Sequence, residues 1–363
     1  MSRRKNEVMV MYKRSAWIVL ICLLLLGFSA TALAEEMERP AGQHFSLVNE
    51  NFDIIHQTGI QVYPGDTYIA ADNSKYLVTE IKGDTARCIY QGKEPMPDIS
   101  EDSQTQANIL NQSIPAVSKG EKPTIAVYHT HSDESYVPND GKESIDGNGG
   151  IYDVGAAFVT QLESLGFNVD YNKENHNPHD VNAYNRSRKT AAALMKKIPA
   201  AIIDVHRDAV PPGEYQANVN GQAVTKVKLV VGRSNPTMKT TMEFAKNLKA
   251  VMDKKAPGLS DGIFIGKGSY NQDLSPRAML IEVGAHTNDK IAAEKGVKLF
   301  ADVLPSVLGI TPTTGANVGQ ADPAKKPASP NNQKAGTTIL IILVVVGAVI
   351  GGFFLLNRGS TAK

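Results

Sequence analysis

Two histidines one residue apart, followed at once by an acidic pair, stand in the stretch 127-VYHTHSDESYVP-138. Imidazole is a common ligand of divalent metals and a common proton carrier. With a carboxylate it forms the donor set of hydrolytic zinc sites, in which three protein groups hold the ion and a fourth position stays open. The sequence has eight histidines and two cysteines. Cys22 lies in an apolar run and Cys88 stands alone outside it, so no thiolate cluster is available and any metal must be held by His, Asp and Glu. The candidates are His131, Glu134 and His206, the last in 204-DVHRD-208. Asp133 competes with Glu134 for the carboxylate position, and a plain polar turn is the bland alternative for the whole stretch. His129 and Arg207 are expected as outer contacts or substrate contacts. Glu282 lies inside the apolar strand 279-MLIEVG-284, where an ionised carboxylate is costly unless it is paired or near a metal. An ion pair with Arg207 or Arg277 would explain it structurally; a general base beside a metal-activated water would explain it chemically. His176 and His179 are expected in a surface loop around Pro178. His44, His56 and His286 are expected to be structural or exposed, with His286 near enough to Glu282 to line a cleft.

These residues must be brought together by the elements that carry them. From residue 124 the pattern alternates between short apolar runs and amphipathic stretches. Strands are expected at 124–130, 167–172, 200–206, 226–232 and 279–284, and helices at about 151–166, 182–197, 236–256 and 288–308. Such alternation predicts an α/β fold, a mostly parallel sheet covered by helices on both faces. Ligands bind such sheets beyond the carboxyl ends of the strands. His131, His206 and Glu282 all fall at or near strand ends, so one rim of the sheet would receive them. Before this region, 60–91 reads as a small β-rich segment, with turn signals at 64–66, 72–74 and 82–84. The expected organisation is 1–34 as a signal peptide or N-terminal anchor, 35–92 as the β-rich region, 93–123 as a linker and 124–310 as the catalytic domain. Residues 311–336 read as a Pro/Ala/Gly/Asn-rich disordered tether, and 337–357 as a transmembrane helix.

Both ends are apolar. Arg3, Arg4, Lys5, Lys13 and Arg14 precede the run at 16–30, and Ala32-Leu33-Ala34 offers a cleavage site. The run 338–356 is uncharged and matches the about 20 residues that a bilayer requires. Arg358 and Lys363 follow it, so the positive-inside rule predicts an extracytoplasmic catalytic domain at the cell membrane. Net charge is +1, from 38 basic and 37 acidic residues, with a single tryptophan; this balance argues against nucleic acid as a partner.

Together, 128-YHTHSDESY-136, 204-DVHRD-208 and 281-IEVGAHTN-288 resemble the stage II sporulation protein P family, whose catalytic domain is similar to the zinc-dependent N-acetylmuramoyl-L-alanine amidases. The resemblance spans about 124–308. It implies a Zn2+ cofactor held by His131, Glu134 and His206, with Glu282 as the catalytic residue, although the related amidases carry the matching Glu later, on a helix. It implies hydrolysis of peptidoglycan at the amide between N-acetylmuramic acid and L-alanine, and also an endopeptidase cut in cross-linked stem peptides. The family acts in engulfment during sporulation, alongside stage II sporulation proteins D and M. Its expected anchor is N-terminal, whereas this chain adds a C-terminal apolar run. Two other readings stay open. His-x-His after a first strand also begins metal-dependent phosphoesterases and amidohydrolases, although the region is short beside the about 250 residues of an α/β barrel. A non-catalytic wall-binding module is the third.

Overall fold

The runs of Val, Ile and Phe that alternate with amphipathic stretches fold as alternating strands and helices in the computed structural model, which describes residues 38–39, 42–99 and 122–310. Both terminal apolar runs, the 311–336 tether and most of the 93–123 stretch lie outside the described residues. Among the described residues, no helix is long and apolar enough to cross a membrane.

The first strands are β1 (Phe45–Val48), β2 (Ile54–Thr58), β3 (Thr67–Ile69), β4 (Ser74–Lys82) and β5 (Thr85–Lys93). There follow β6 (Thr124–Tyr128), the one-turn α1 (Val137–Asp140), α2 (Ile151–Ser164), β7 (Asn168–Tyr171), α3 (Ala183–Met195) and β8 (Ala201–Asp208). The chain continues through β9 (Gln216–Val219), β10 (Gln222–Thr225), β11 (Val227–Gly232), α4 (Met238–Lys255), β12 (Ser260–Gly266), β13 (Ala278–Ala285), α5 (Lys290–Ala301) and α6 (Leu304–Val307). The single helix expected over 288–308 is thus two. Pro305 sits in the first turn of α6, where it cannot continue the hydrogen-bond ladder from α5. Asp289 caps α5 by accepting from Ala292 N at 2.9 Å.

Eleven strands form one large sheet, parallel at five of its ten neighbouring pairs, in the order β2-β1-β5-β4-β3-β12-β11-β13-β8-β6-β7. β13, β8, β6 and β7 run parallel to one another, so their carboxyl ends share one rim. β11 is antiparallel to β13 and parallel to β12. The β-rich N-terminal strands add to the same sheet, because β3 pairs antiparallel with β12 and covers what would otherwise be an open edge. β1, β2, β12 and the β9–β10 hairpin have no counterpart among the strands expected from sequence. β12 hides because glycines bracket its apolar centre, 263-IFI-265, and Gly262 has φ +101°, which weakens a strand signature.

Helix periodicity determines the packing. Val154, Phe158 and Leu162 line one face of α2, four residues apart. With Phe244 and Leu248 of α4 and Val297 and Phe300 of α5, they join Ile125, Val127, Ile203, Leu229 and Ile281 in the main core. The alternate strand residues Ala126, Tyr128 and Ile202 pack with Ala191 and Leu194 of α3. A third cluster ties Phe45, Leu47, Ile60 and Val62 to Val230, Phe264 and Leu280. Residues 58–60 thereby reach the end of β8, where Gly59 donates from its N to Asp208 Oδ1 at 2.6 Å. A Cβ at Gly59 would meet Ala209 Cβ at 2.8 Å, so only glycine permits this approach.

Candidate metal centre

The shared rim collects the imidazoles and carboxylates. His131 lies three residues past β6, His206 is two residues from the end of β8, and Glu134 enters from the loop after His131. All three are buried. Glu134 Oε1 lies 3.2 Å from His131 Nδ1 and 3.3 Å from His206 Nδ1. Its other oxygen, Oε2, accepts from Arg207 N at 2.9 Å, which fixes the plane of the carboxylate. His206 Nε2 lies 3.0 Å from Asp204 Oδ1, an ion-pair contact that turns Nδ1 towards Glu134. Asp204 is anchored in turn by Thr130, whose N donates to Oδ1 at 2.8 Å and whose hydroxyl donates to Oδ2 at 2.5 Å.

Two further residues complete the cluster. Glu38 runs alongside Ile60 in an isolated antiparallel bridge, and its Oε1 lies 3.0 Å from His131 Nδ1. His179 stacks on His131 with ring centroids 3.7 Å apart and planes 21° from parallel. His179 Nε2 lies 3.1 Å from Glu38 Oε2, and its Nδ1 lies 3.2 Å from Asp133 Oδ1. The loop histidines therefore depart from the exposed placement expected of them. His176 is buried, its Nδ1 donating to His129 O at 2.7 Å and its Nε2 meeting Thr190 Oγ1 at 2.8 Å. The spacing of 176 and 179 was a usable signal for His179, but the surrounding polarity masked it. Nothing in the sequence around Glu38 marks it.

One donor atom each from Glu38, His131, Glu134 and His206 lie within 4.8 Å of one another. Donors about 2.0–2.1 Å from a tetrahedral ion stand about 3.3 Å apart. Three of the donor contacts here measure 3.0, 3.2 and 3.3 Å. The carboxylates of Glu38, Glu134 and Asp204 converge on two imidazoles, a field that suits a divalent cation. The residues present fit such an ion.

The charges hold one another. Burial works against ionised Glu134, yet the charges of His206 and Arg207 and the imidazole contacts bring its pKa down to about 2. Burial likewise opposes the His206 imidazolium, but Asp204 and Glu134 raise it well above the usual histidine range. Burial also opposes charge on His179; Glu38 and Asp133 overcome it and push the group up to about 10.

Glu282 is the register partner of His206 across β13 and β8 and is 1% exposed. Its Oε2 has no hydrogen-bond partner. Burial, followed by the charge of Asp208, pushes its carboxyl well above the ordinary range. A buried carboxyl with a raised pKa beside a cluster of ligand-type groups is an arrangement in which catalytic acid–bases are found. Beyond Glu282 the β13 ladder shifts register, and Gly284 takes φ +73°. His286 follows on the wall of a cleft of about 420 Å³, together with His131, His179, Arg207, Arg39 and Glu143.

His129 is placed apart from the ligand atoms. Its Nδ1 donates to Val205 O at 2.7 Å, and its Nε2 meets Tyr171 Oη at 2.9 Å, so neither nitrogen is left for a metal. Arg207 lines the cleft with Nη2 donating to Glu143 O at 2.9 Å and Nη1 3.9 Å from Glu134 Oε1. His56, expected to be structural or exposed, is buried. Its ring stacks on Tyr68 at 4.1 Å, and its Nδ1 lies 2.7 Å from Glu214 Oε1.

A sequence model of the family described as Stage II sporulation protein P (SpoIIP) matches residues 47–305. The chain belongs to the stage II sporulation protein P family. The match includes His131, Glu134, His179, His206 and Glu282 and leaves Glu38 outside. A curated stage II sporulation protein P, from Bacillus subtilis (strain 168), is 33% identical over 224 residues, which cover 56% of this chain and 55% of that protein. The chain thus spans about half the length of the stage II sporulation protein P relative it matches. Among solved structures, it is similar over 52% of its length to the CwlD amidase of Clostridioides difficile in complex with the GerS lipoprotein, at 13% identity and TM-score 0.36, covering 99% of that chain. It is also similar to the N-acetylmuramyl-L-alanine amidase Ami1 of Mycobacterium smegmatis, at 16% identity and TM-score 0.33, over 52% of this chain and 95% of that one. The catalytic domain of CwlV, an N-acetylmuramoyl-L-alanine amidase from Bacillus (Paenibacillus) polymyxa var. colistinus, gives 15% identity and TM-score 0.35, over 52% and 99%. At these identities and scores the likeness says nothing about chemistry.

Proposed function

We propose that this chain is a sporulation cell-wall hydrolase that cleaves the N-acetylmuramoyl-L-alanine amide of peptidoglycan with the help of a divalent metal, zinc by its donor set. One observation carries the reading: Glu134 Oε1 lies 3.2 Å from His131 Nδ1 and 3.3 Å from His206 Nδ1, the spacing of neighbouring ligands on a tetrahedral ion, next to a buried carboxyl on the neighbouring strand. Family membership supplies sporulation as the setting, and the peptidoglycan wall is the substrate that the reading assigns. The same site is proposed for the endopeptidase cut.

His131, Glu134 and His206 would hold the divalent ion, which would supply Lewis acidity towards the scissile carbonyl and the attacking water when bound. The rest is done by protein groups. Glu282 takes the proton of the water as its oxygen bonds to the carbonyl carbon. It then returns that proton to the nitrogen of L-alanine as the carbon–nitrogen bond breaks. Arg207 N holds Glu134 in plane, and Asp204 holds the His206 ring. The apolar runs at 16–30 and 338–356 would tether the enzyme to the cell membrane with this site facing the wall, where engulfment partners such as stage II sporulation proteins D and M would meet it.

The test is digestion of purified peptidoglycan followed by mass analysis of the soluble fragments. Stem peptides that begin with a free L-alanine amine are expected. Glycan–peptide amides left intact after prolonged incubation with zinc would overturn the reading.

A further inference from the structure

Glu38 does something that the proposed chemistry does not require: its carboxylate bridges two different groups. Oε1 lies 3.0 Å from His131 Nδ1, among the ligand atoms, and Oε2 lies 3.1 Å from His179 Nε2. The two oxygens of a carboxylate share one carbon. So do the two oxygens of the adduct formed when water adds to an amide carbonyl. The site therefore accepts a pair of geminal oxygens, one towards the ligand cluster and one towards His179.

His179 is built to hold its position. Its ring is stacked on His131. Its Nδ1 is paired with Asp133, which is 4% exposed and also accepts a short hydrogen bond from Ser144 Oγ. Both ring nitrogens face carboxylate oxygens, so hydrogen is carried on both sides, and Nε2 points its donor into the cluster. The ring is also on the wall of the cleft, within reach of substrate.

Resting on the amidase reading, we propose that His179 is a further catalytic residue. Its Nε2–H donates to the carbonyl oxygen of the scissile amide as that oxygen becomes an oxyanion, and Asp133 is the positioning residue that aims the ring. As the water oxygen bonds to carbon, the carbonyl π pair moves onto oxygen and is received by this hydrogen bond. The water proton passes to Glu282, and on collapse to the leaving nitrogen. His179 keeps its proton throughout. Substrate must displace the Glu38 carboxylate to enter.

The experiment uses the full chain loaded with zinc, purified peptidoglycan, and a phosphinate analogue of the muramoyl-L-alanine amide as a tetrahedral probe. Removing one oxyanion donor typically costs about a hundred- to a thousandfold in kcat. His179→Gln is expected to lower kcat by that factor with KM little changed, zinc content and melting temperature retained, and phosphinate affinity reduced in parallel. Asp133→Asn is expected to lower kcat less, with KM kept, and to add nothing further in the His179→Gln background. Glu38→Gln, which removes a competing anion, is expected to tighten phosphinate binding. If His179→Gln keeps kcat within threefold, loses its zinc, or binds the phosphinate as well as the parent does, the inference falls while the amidase reading stands. If the parent enzyme itself releases no peptide, both fall.

Discussion

Glu282 and His206 sit side by side on β13 and β8 as register partners, so their side chains leave the same face of the sheet. Strands in a sheet are about 4.8 Å apart, which keeps the carboxyl next to the imidazole without any loop having to place it. On its other flank Glu282 is paired with Lys228 of β11. The row Lys228–Glu282–His206 is therefore set by the sheet, the most rigid part of the fold. Glu282 Oε2 is buried without a partner. Leaving such an acceptor unsatisfied costs about 1–3 kcal/mol, a cost that the proton-accepting role proposed for Glu282 would explain.

That placement predicts a clean separation of binding from chemistry. Glu282→Gln keeps the shape of the side chain but cannot accept the proton. Zinc content and melting temperature should stay at parental values, while release of stem peptides from purified wall drops to background. Release at the parental rate would remove Glu282 from the proton path.

Metal content tests the ligands independently of turnover. His131→Ala and His206→Ala each delete one corner of the donor triangle. Each variant should bind zinc at least tenfold more weakly, read by competition with a chromophoric chelator. If both still held one zinc per chain at parental affinity, the ion would have to sit elsewhere.

The chain's strand ends were readable in advance because two independent patterns coincide there. β8 is apolar until Asp204, and β13 is apolar until Glu282. Parallel strands with such runs place their last residues on one rim, and His206 and Glu282 follow from that. His131 follows from its position after β6. Glu38 was not readable, because it reaches the site only through the bridge to Ile60 and the packing of residues 58–60 on the end of β8. Those are long-range contacts with no local periodicity. His179 had a suggestive spacing, but the polar loop hid a burial that depends on Asp133 and Glu38. The joining of β3 to β12 was equally invisible, since an antiparallel partner almost two hundred residues away leaves no trace in either segment.

Cys88 gives a pH-dependent prediction away from the metal centre. It is 3% exposed on β5, and burial, then the charge of Glu50, pushes its thiol from 9.0 up to about 12. A group whose pKa is raised by folding favours the folded state below its ordinary pKa. That advantage is lost as the pH rises from 9 towards 12. Cys88→Ala should therefore show a shallower fall in melting temperature between these limits than the parent. Iodoacetamide at pH 8 should leave the Cys88 peptide unmodified in native protein and alkylate it in guanidinium, as read by mass spectrometry. Rapid native alkylation would contradict the burial.

The last prediction concerns the ion pair that locks the N-terminal segment to the end of β8 and to β11. Lys228 is fully buried, and its Nζ pairs with Asp208 Oδ2 and donates to Thr58 Oγ1 at 3.0 Å. Asp208 also accepts from Gly59 N at 2.6 Å and Tyr215 Oη at 2.9 Å, so one carboxylate gathers residues 58–59, β8 and the loop after it. Removing one partner of a buried pair typically costs about 3–5 kcal/mol, because the other charge is left uncompensated. Lys228→Met should therefore destabilise the protein by about that amount in denaturant unfolding. Combining it with Asp208→Asn should recover part of the loss, since the stranded charge is then gone although the Gly59 and Tyr215 contacts are kept in weaker form. Residues 58–60 also carry the bridge that holds Glu38 over His131. The single variant should accordingly loosen Glu38 first, seen as faster amide exchange at 58–60 than in the core of β8. A loss below about 0.5 kcal/mol, the range of an ordinary surface change, would mean that apolar packing alone fixes this segment.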